Sequence, residues 1–224
     1  MSLLQIFYYI RYSCVHYSQC CVILSLYSDV LFKRHICIAF EFCSKGPLSR
    51  IVQNQNVTYD YLPIAQDISN GMAYLHSKNV IHRDLKPDNV LIDAQNRAKV
   101  TDFGLSVTHT GIEELTGETG TYRWMAPEVI RHEPYSINSD IYSFALVLWN
   151  LVTREIPFDI YTPVQAAFAV ARDAERPPIP DHIPEYIARI ICSSWEQDQL
   201  KRPSFANVSM GLSKYSSTAL AIYN

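Results

Sequence analysis

Residues 81–89 read Ile81-His82-Arg83-Asp84-Leu85-Lys86-Pro87-Asp88-Asn89, and the choice of fold turns on them. The run offers a carboxylate at Asp84, an ammonium two positions on at Lys86 and a carboxamide five positions on at Asn89. A loop this tight can aim all three groups into one small volume. The Asp can accept a hydroxyl proton, and the Lys can neutralise charge on a transferred phosphoryl group. The Asn oxygen suits Mg²⁺, a hard cation that takes oxygen ligands. The chemistry implied is phosphoryl transfer.

Working outward, Asp102-Phe103-Gly104 follows thirteen residues after Asn89, and Gly120-Thr121-Tyr122-Arg123-Trp124-Met125-Ala126-Pro127-Glu128 comes next. One H-R-D alone is a weak signal, but these three motifs in this order are a strong one. From about Ile36 to about Leu212 the chain resembles the eukaryotic protein kinases. The fold the resemblance implies is α+β: a mainly α-helical C-terminal lobe with a remnant of the N-terminal lobe's β-sheet.

The resemblance implies roles residue by residue. Asp84 is the catalytic base, Lys86 contacts the ATP γ-phosphate, and Asn89 and Asp102 hold Mg²⁺. Glu41-Phe42-Cys43 resembles the hinge that meets the adenine edge, with Phe40 as gatekeeper and Leu91 as the pocket floor. Without the resemblance, residues 40–47 read simply as a strand ending in a Gly-Pro turn. Arg83 is the residue that would bind a phosphate on the activation loop, with Thr116 and Thr119 as candidate sites for an upstream kinase. The plain alternative is a pair of loop threonines that are never modified. Thr121 is the loop residue that bonds the catalytic Asp and Lys, Asp140 holds the backbone of the catalytic loop, and Glu128 pairs with Arg202. His82 is expected to pack under Phe103. Lys86 and Gly120-Thr121 resemble serine/threonine kinases, and the 118–130 string resembles the tyrosine-kinase-like group that includes the Raf-like and mixed-lineage kinases. The partners implied are ATP and a protein substrate bearing Ser or Thr.

Composition is compatible. The chain has 224 residues, 48% apolar content and a formal net charge of −3, as an ordinary globular protein has. Nineteen Lys and Arg against 22 Asp and Glu leave no basic surplus for nucleic acid. Cys14, Cys20, Cys21, Cys37, Cys43 and Cys192 show no C-x-x-C spacing, which points to reduced thiols and a cytoplasmic location. Leu3–Ile10 is apolar, but Arg11 interrupts it and no small-x-small site follows, which weighs against a secretory leader. Tyr12–Ser28 carries no Asp, Glu, Lys or Arg, yet it is too polar and too short for a membrane span, so no membrane partner is expected.

Residues 1–21 have no clean period and stay unassigned. Residues 22–43 are expected to be the strand remnant and hinge, 44–212 the C-terminal lobe and 213–224 a tail. Val22–Tyr27 and His35–Phe40, separated by Ser28-Asp29 and Lys33-Arg34, read as two strands of a hairpin or meander. Tyr61–His76 has apolar residues at helical spacing, with Asp60 or Thr58 as cap. His76 reads as a partner for that helix's C-terminal dipole. Val90–Ile92 and Ala98–Val100 read as a hairpin. Residues 105–124 are poor in large apolar side chains, as a mobile loop is. Ile141–Val152 is apolar nearly all round and therefore a core helix, with Ser139 as its cap. Three further helices open with prolines, at Pro163–Ala171, Pro184–Ser194 and Pro203–Leu212.

The resemblance also has gaps. There is no Gly before Gly46 and no Glu before Glu41, so the glycine-rich phosphate loop and the helix C Glu have no counterpart. Val30-Leu31-Phe32-Lys33 is similar to the V-A-I-K motif only superficially, because Lys33 lies eight residues before Glu41 and leaves no space for helix C. The expectation is an N-terminally truncated kinase whose isolated chain transfers phosphoryl groups feebly or not at all, and whose open cleft and sheet edge favour association. The alternative is a catalytically impaired kinase or pseudokinase that serves as a protein-binding module. Retention of Asp84, Lys86, Asn89 and Asp102 together favours the enzyme.

Overall fold

A computed structural model of the chain describes residues 26–32, 35–102, 107–108 and 119–222. The unassigned segment 1–21, Phe103, Gly104 and Thr116 lie outside these residues, as do residues 22–25, Lys33 and the side chain of Thr119.

The chain enters through an antiparallel hairpin, β1 (Leu26–Phe32) and β2 (His35–Phe40), in which Phe32 pairs with His35. Ser28 and Asp29, expected as part of the connection, instead lie within β1, and an irregularity between Leu26 and Ser28 absorbs the register. A bulge lets a strand carry an extra residue without losing its ladder. β3 (Gly46–Pro47) leads into the short α1 (Leu48–Gln53), an element that periodicity did not reveal. Gly46 sits at φ +75°, in the left-handed region where glycine carries no Cβ penalty. β5 (Val90–Ile92) and β6 (Ala98–Val100) form the expected hairpin, with β3 added to its free edge. Its turn is closed by Asp93, whose carboxylate accepts from the Gln95 and Arg97 N–H groups. β4 (Val80–Ile81) pairs with β7 (Val107–Thr108).

The rest is helical. α2 (Tyr61–Ser77) begins at Asp60, whose side chain accepts from Leu62 N at 3.0 Å, so Asp60 is the cap. α3 (Pro127–Ile130) is one turn. α4 (Asn138–Thr153) is buried from Ser139 to Leu151 and forms the centre of the lobe. Its cap is a correction: Ser139 lies in the first turn and donates its hydroxyl to Ser136 O at 2.8 Å, while Ser136 Oγ accepts from Asn138 N at 3.2 Å. Ser136 therefore satisfies the helix N–H, and Ser139 braces the turn. α5 (Pro163–Asp173) has a reciprocal Thr162/Gln165 capping box, α6 (Glu185–Ser194) starts one residue after Pro184, and α7 (Phe205–Ile222) runs well past the expected end at Leu212. Ile68, Met72 and Leu75 of α2, Ile141, Phe144 and Leu148 of α4, and Phe205 and Leu212 of α7 share one apolar core. Phe144 meets Phe205 edge-on, with centroids 5.4 Å apart. The mainly helical lobe with a small antiparallel sheet is the fold class expected from the sequence. Among the described residues, no helix is long and apolar enough to cross a membrane.

Candidate active site

The loop after β4 is organised by a buried carboxylate from α4. Asp140 Oδ1 accepts from Arg83 N at 2.9 Å, and Oδ2 accepts from His82 N at 2.9 Å and lies 2.9 Å from His76 Nε2. Arg83 is at φ +71°, a conformation a non-glycine residue keeps only when its surroundings enforce it. Burial pushes the Asp140 carboxyl up, but the hydrogen bond and charge of His76, with His82 beside it, outweigh burial and hold it below the ordinary carboxylate range. His76, in the last turn of α2, thus serves as a partner of Asp140.

Three side chains expected at the site converge. Asn89 Nδ2 donates to Asp84 O and to Asp84 Oδ2, each at 2.8 Å. Lys86 Nζ is 2.9 Å from the same Oδ2 and donates to Thr121 Oγ1 at 2.9 Å. Asp84 Oδ1 is buried and has no hydrogen-bond partner among the described residues. One oxygen of the carboxylate is saturated and the other is open. A buried polar atom without a partner requires a reason. Because both acceptors are met by Asn89 Nδ2, the amide oxygen is the atom left for another ligand.

β6 delivers Asp102. Thr101 N donates to Asn89 O at 3.0 Å, and Thr101 O lies 2.9 Å from His82 Nε2, so the residue before Asp102 is bonded to both ends of the catalytic loop. Asp102 is exposed, at φ +61°. The Asp84 N–H is 3.3 Å from His82 Nδ1, which assigns that nitrogen as acceptor and Nε2–H as donor. His82, fully buried, therefore bridges Asp84 and Thr101; its expected contact with Phe103 lies outside the described residues. Asn89 and Asp102 carry hard oxygen atoms of the kind Mg²⁺ takes.

At the hinge, Phe42 is 87% exposed while Cys43 is buried, and Gly46 N donates to Cys43 O at 3.1 Å. Burial, and then the nearby Glu41 carboxylate, push the Cys43 thiol pKa up. Leu91, half-buried on β5, lies opposite Lys99 on β6. Lys99 Nζ is 3.2 Å from Glu41 Oε2, a pair that no sequence signal announced.

Farther out, Arg202 makes a two-point contact with Glu128, Nη1 to Oε1 at 2.6 Å and Nη2 to Oε2 at 2.8 Å, and also donates to Glu196 O and Asn138 O. The expected pair is present, fully buried. The Arg83 guanidinium lies over the Tyr135 ring at 5.6 Å. Arg123, which no sequence signal marked, donates to the carbonyls of Pro157, Phe158 and Tyr161 and so ties the segment carrying Thr121 to the start of α5. Asp67 was missed too: buried on α2, it takes Arg97 and the Ala98 N–H, anchoring the β5–β6 hairpin. Only a tertiary contact reveals either role.

Residues 12–212 match the family described as protein tyrosine and serine/threonine kinase, a match that begins upstream of the first assigned strand. The chain is 48% identical over 184 residues to the serine/threonine/tyrosine-protein kinase HT1 of Arabidopsis thaliana, covering 80% of this chain and 47% of that protein. It is 42% identical over 177 residues to the Arabidopsis serine/threonine-protein kinase STY17, covering 78% and 31% respectively. A probable serine/threonine-protein kinase of Dictyostelium discoideum, drkD, is 40% identical over 179 residues, 77% of this chain and 14% of its own length. The chain thus spans less than half the length of these relatives. With its catalytic-loop geometry and these matches together, the chain belongs to the protein tyrosine and serine/threonine kinase family.

Proposed function

We propose that the chain carries the catalytic lobe of a serine/threonine protein kinase, which transfers the γ-phosphoryl group of ATP to Ser or Thr hydroxyls of a protein. The observation that carries this reading is the asymmetry of Asp84: Oδ2 is occupied by Lys86 and Asn89, and Oδ1 is buried and open. An open carboxylate oxygen is the atom that orients the attacking hydroxyl and takes its proton. Lys86, held between Asp84 and Thr121, faces the charge on the phosphoryl group in transit. Asn89 and Asp102 would hold Mg²⁺, which when bound neutralises phosphate oxygens. Cys43, whose carbonyl accepts from Gly46 N, would meet the adenine edge through its backbone N–H. Leu91 floors the base.

Ser/Thr preference is supported by Lys86 and its bond to Thr121 and by the similarity to serine/threonine-protein kinases. Arg83 beside the catalytic loop would receive a phosphate on Thr116 or Thr119 placed there by an upstream kinase. The free thiols of Cys43 and Cys192 support a reducing, cytoplasmic setting.

Transfer from γ-labelled ATP to a mixed protein substrate, followed by phosphoamino-acid analysis, tests the reading. Slow labelling of Ser and Thr, abolished by chelating Mg²⁺, is expected. Label confined to Tyr, or label indifferent to chelation, would overturn it.

A further inference from the structure

Lys99 is only 6% exposed, although no residue type is buried less readily than lysine. Its neighbours Ala98 and Val100 point into the lobe core, as do Val90 and Ile92 on the partner strand. Strand alternation puts Lys99 and its cross-strand partner Leu91 on the other face together. Lys99 therefore lies beside the residue assigned to the adenine floor, on the strand that precedes Asp102, and its ammonium reaches Glu41 at 3.2 Å. Glu41 precedes Phe42, whose 87% exposure leaves it with little packing to fix the backbone at that point. A buried ion pair adds little net stability once desolvation is counted, so its position is more informative than its strength.

We propose that Lys99 is a positioning residue for nucleotide binding: by gripping Glu41 it holds residues 41–43 in register, so that the backbone groups meeting the purine edge stay aligned over Leu91. The inference rests on the kinase reading and adds to it a residue outside the catalytic motifs. Lys99 acts on the base alone. It has no part in holding the phosphates, which fall to Lys86, Asn89 and Asp102.

Calorimetric titration of the chain with adenosine, with Mg-ATP and with Mg-tripolyphosphate separates these roles. Lys99→Met and Glu41→Gln should each weaken adenosine and Mg-ATP by about tenfold, a 1.4 kcal/mol loss, and leave tripolyphosphate unchanged. Lys99→Arg should stay within about twofold of wild type, and the Lys99→Met/Glu41→Gln double variant should be no weaker than the worse single one. Should Lys99→Met not fold, Glu41→Gln and Lys99→Arg carry the same comparison. Unchanged adenosine binding in the variants overturns the inference alone. So does equal loss of adenosine and tripolyphosphate, the mark of a damaged fold. A wild-type chain that binds neither adenosine nor Mg-ATP overturns the kinase reading with it.

Discussion

Asp140 shows how one side chain sets the catalytic loop. Its carboxylate meets two backbone N–H groups and His76, and an amide in its place offers one oxygen for three donors. Asp140→Asn should cost about 2–4 kcal/mol in urea unfolding, the range for breaking a buried hydrogen-bonded network. The sign of its pH effect follows from linkage. The folded carboxyl titrates below its ordinary value of 3.8, so its stabilisation is complete above that value and disappears as pH falls through the lower, folded one. Wild-type stability should therefore fall below about pH 4, and the Asn variant should show a flatter acid limb. A variant with the same acid limb would remove this role. Asp84, Lys86 and Asn89 were legible in the sequence because loop geometry alone brings them together. Lys99 and Arg123 were not, because their partners lie far away in sequence and nothing local marks a lysine that will be buried.

Helix periodicity made α2 and α4 readable, but caps depend on where the preceding turn puts its hydroxyls. Ser139 has the right residue type but lies inside the first turn with its hydroxyl directed backwards; the cap position falls to Ile137, which makes no side-chain bond, and Ser136 Oγ takes the Asn138 N–H. Ser136→Ala removes the acceptor for the Asn138 N–H and should lose about 1 kcal/mol in thermal or urea unfolding; no loss would show that this bond does not support the helix start. The Glu128–Arg202 pair joins α3 to the segment before α7, with side chains 3% and 0% exposed. Removing either partner leaves the other charge buried, so Glu128→Ala and Arg202→Ala should each destabilise by about 3–5 kcal/mol. The double variant should lose less than the sum of the two. Additive losses would mean that the two charges act independently. The short β3 and α1 were missed because six residues carry too few apolar repeats to declare a period.

At the scale of the molecule, the helical lobe was legible because its motifs and its apolar repeats agree. The hairpin β1–β2 was legible only in type: its first strand runs on through Ser28 and Asp29 to Phe32, because strand propensity does not mark a bulge. Ligand linkage offers a global check: Mg-ATP at about 100 times its Kd should stabilise the chain by about 2.7 kcal/mol, and EDTA should remove most of that gain. An unchanged melting temperature would count against a nucleotide site. The most direct test of the central claim compares phosphoryl transfer by the wild-type chain and by Asp84→Asn, with melting curves run on both. If Asp84 Oδ1 is the group that receives the hydroxyl proton, transfer falls by about 10²–10⁴-fold while the fold remains intact. Equal transfer by two equally folded proteins would contradict the account.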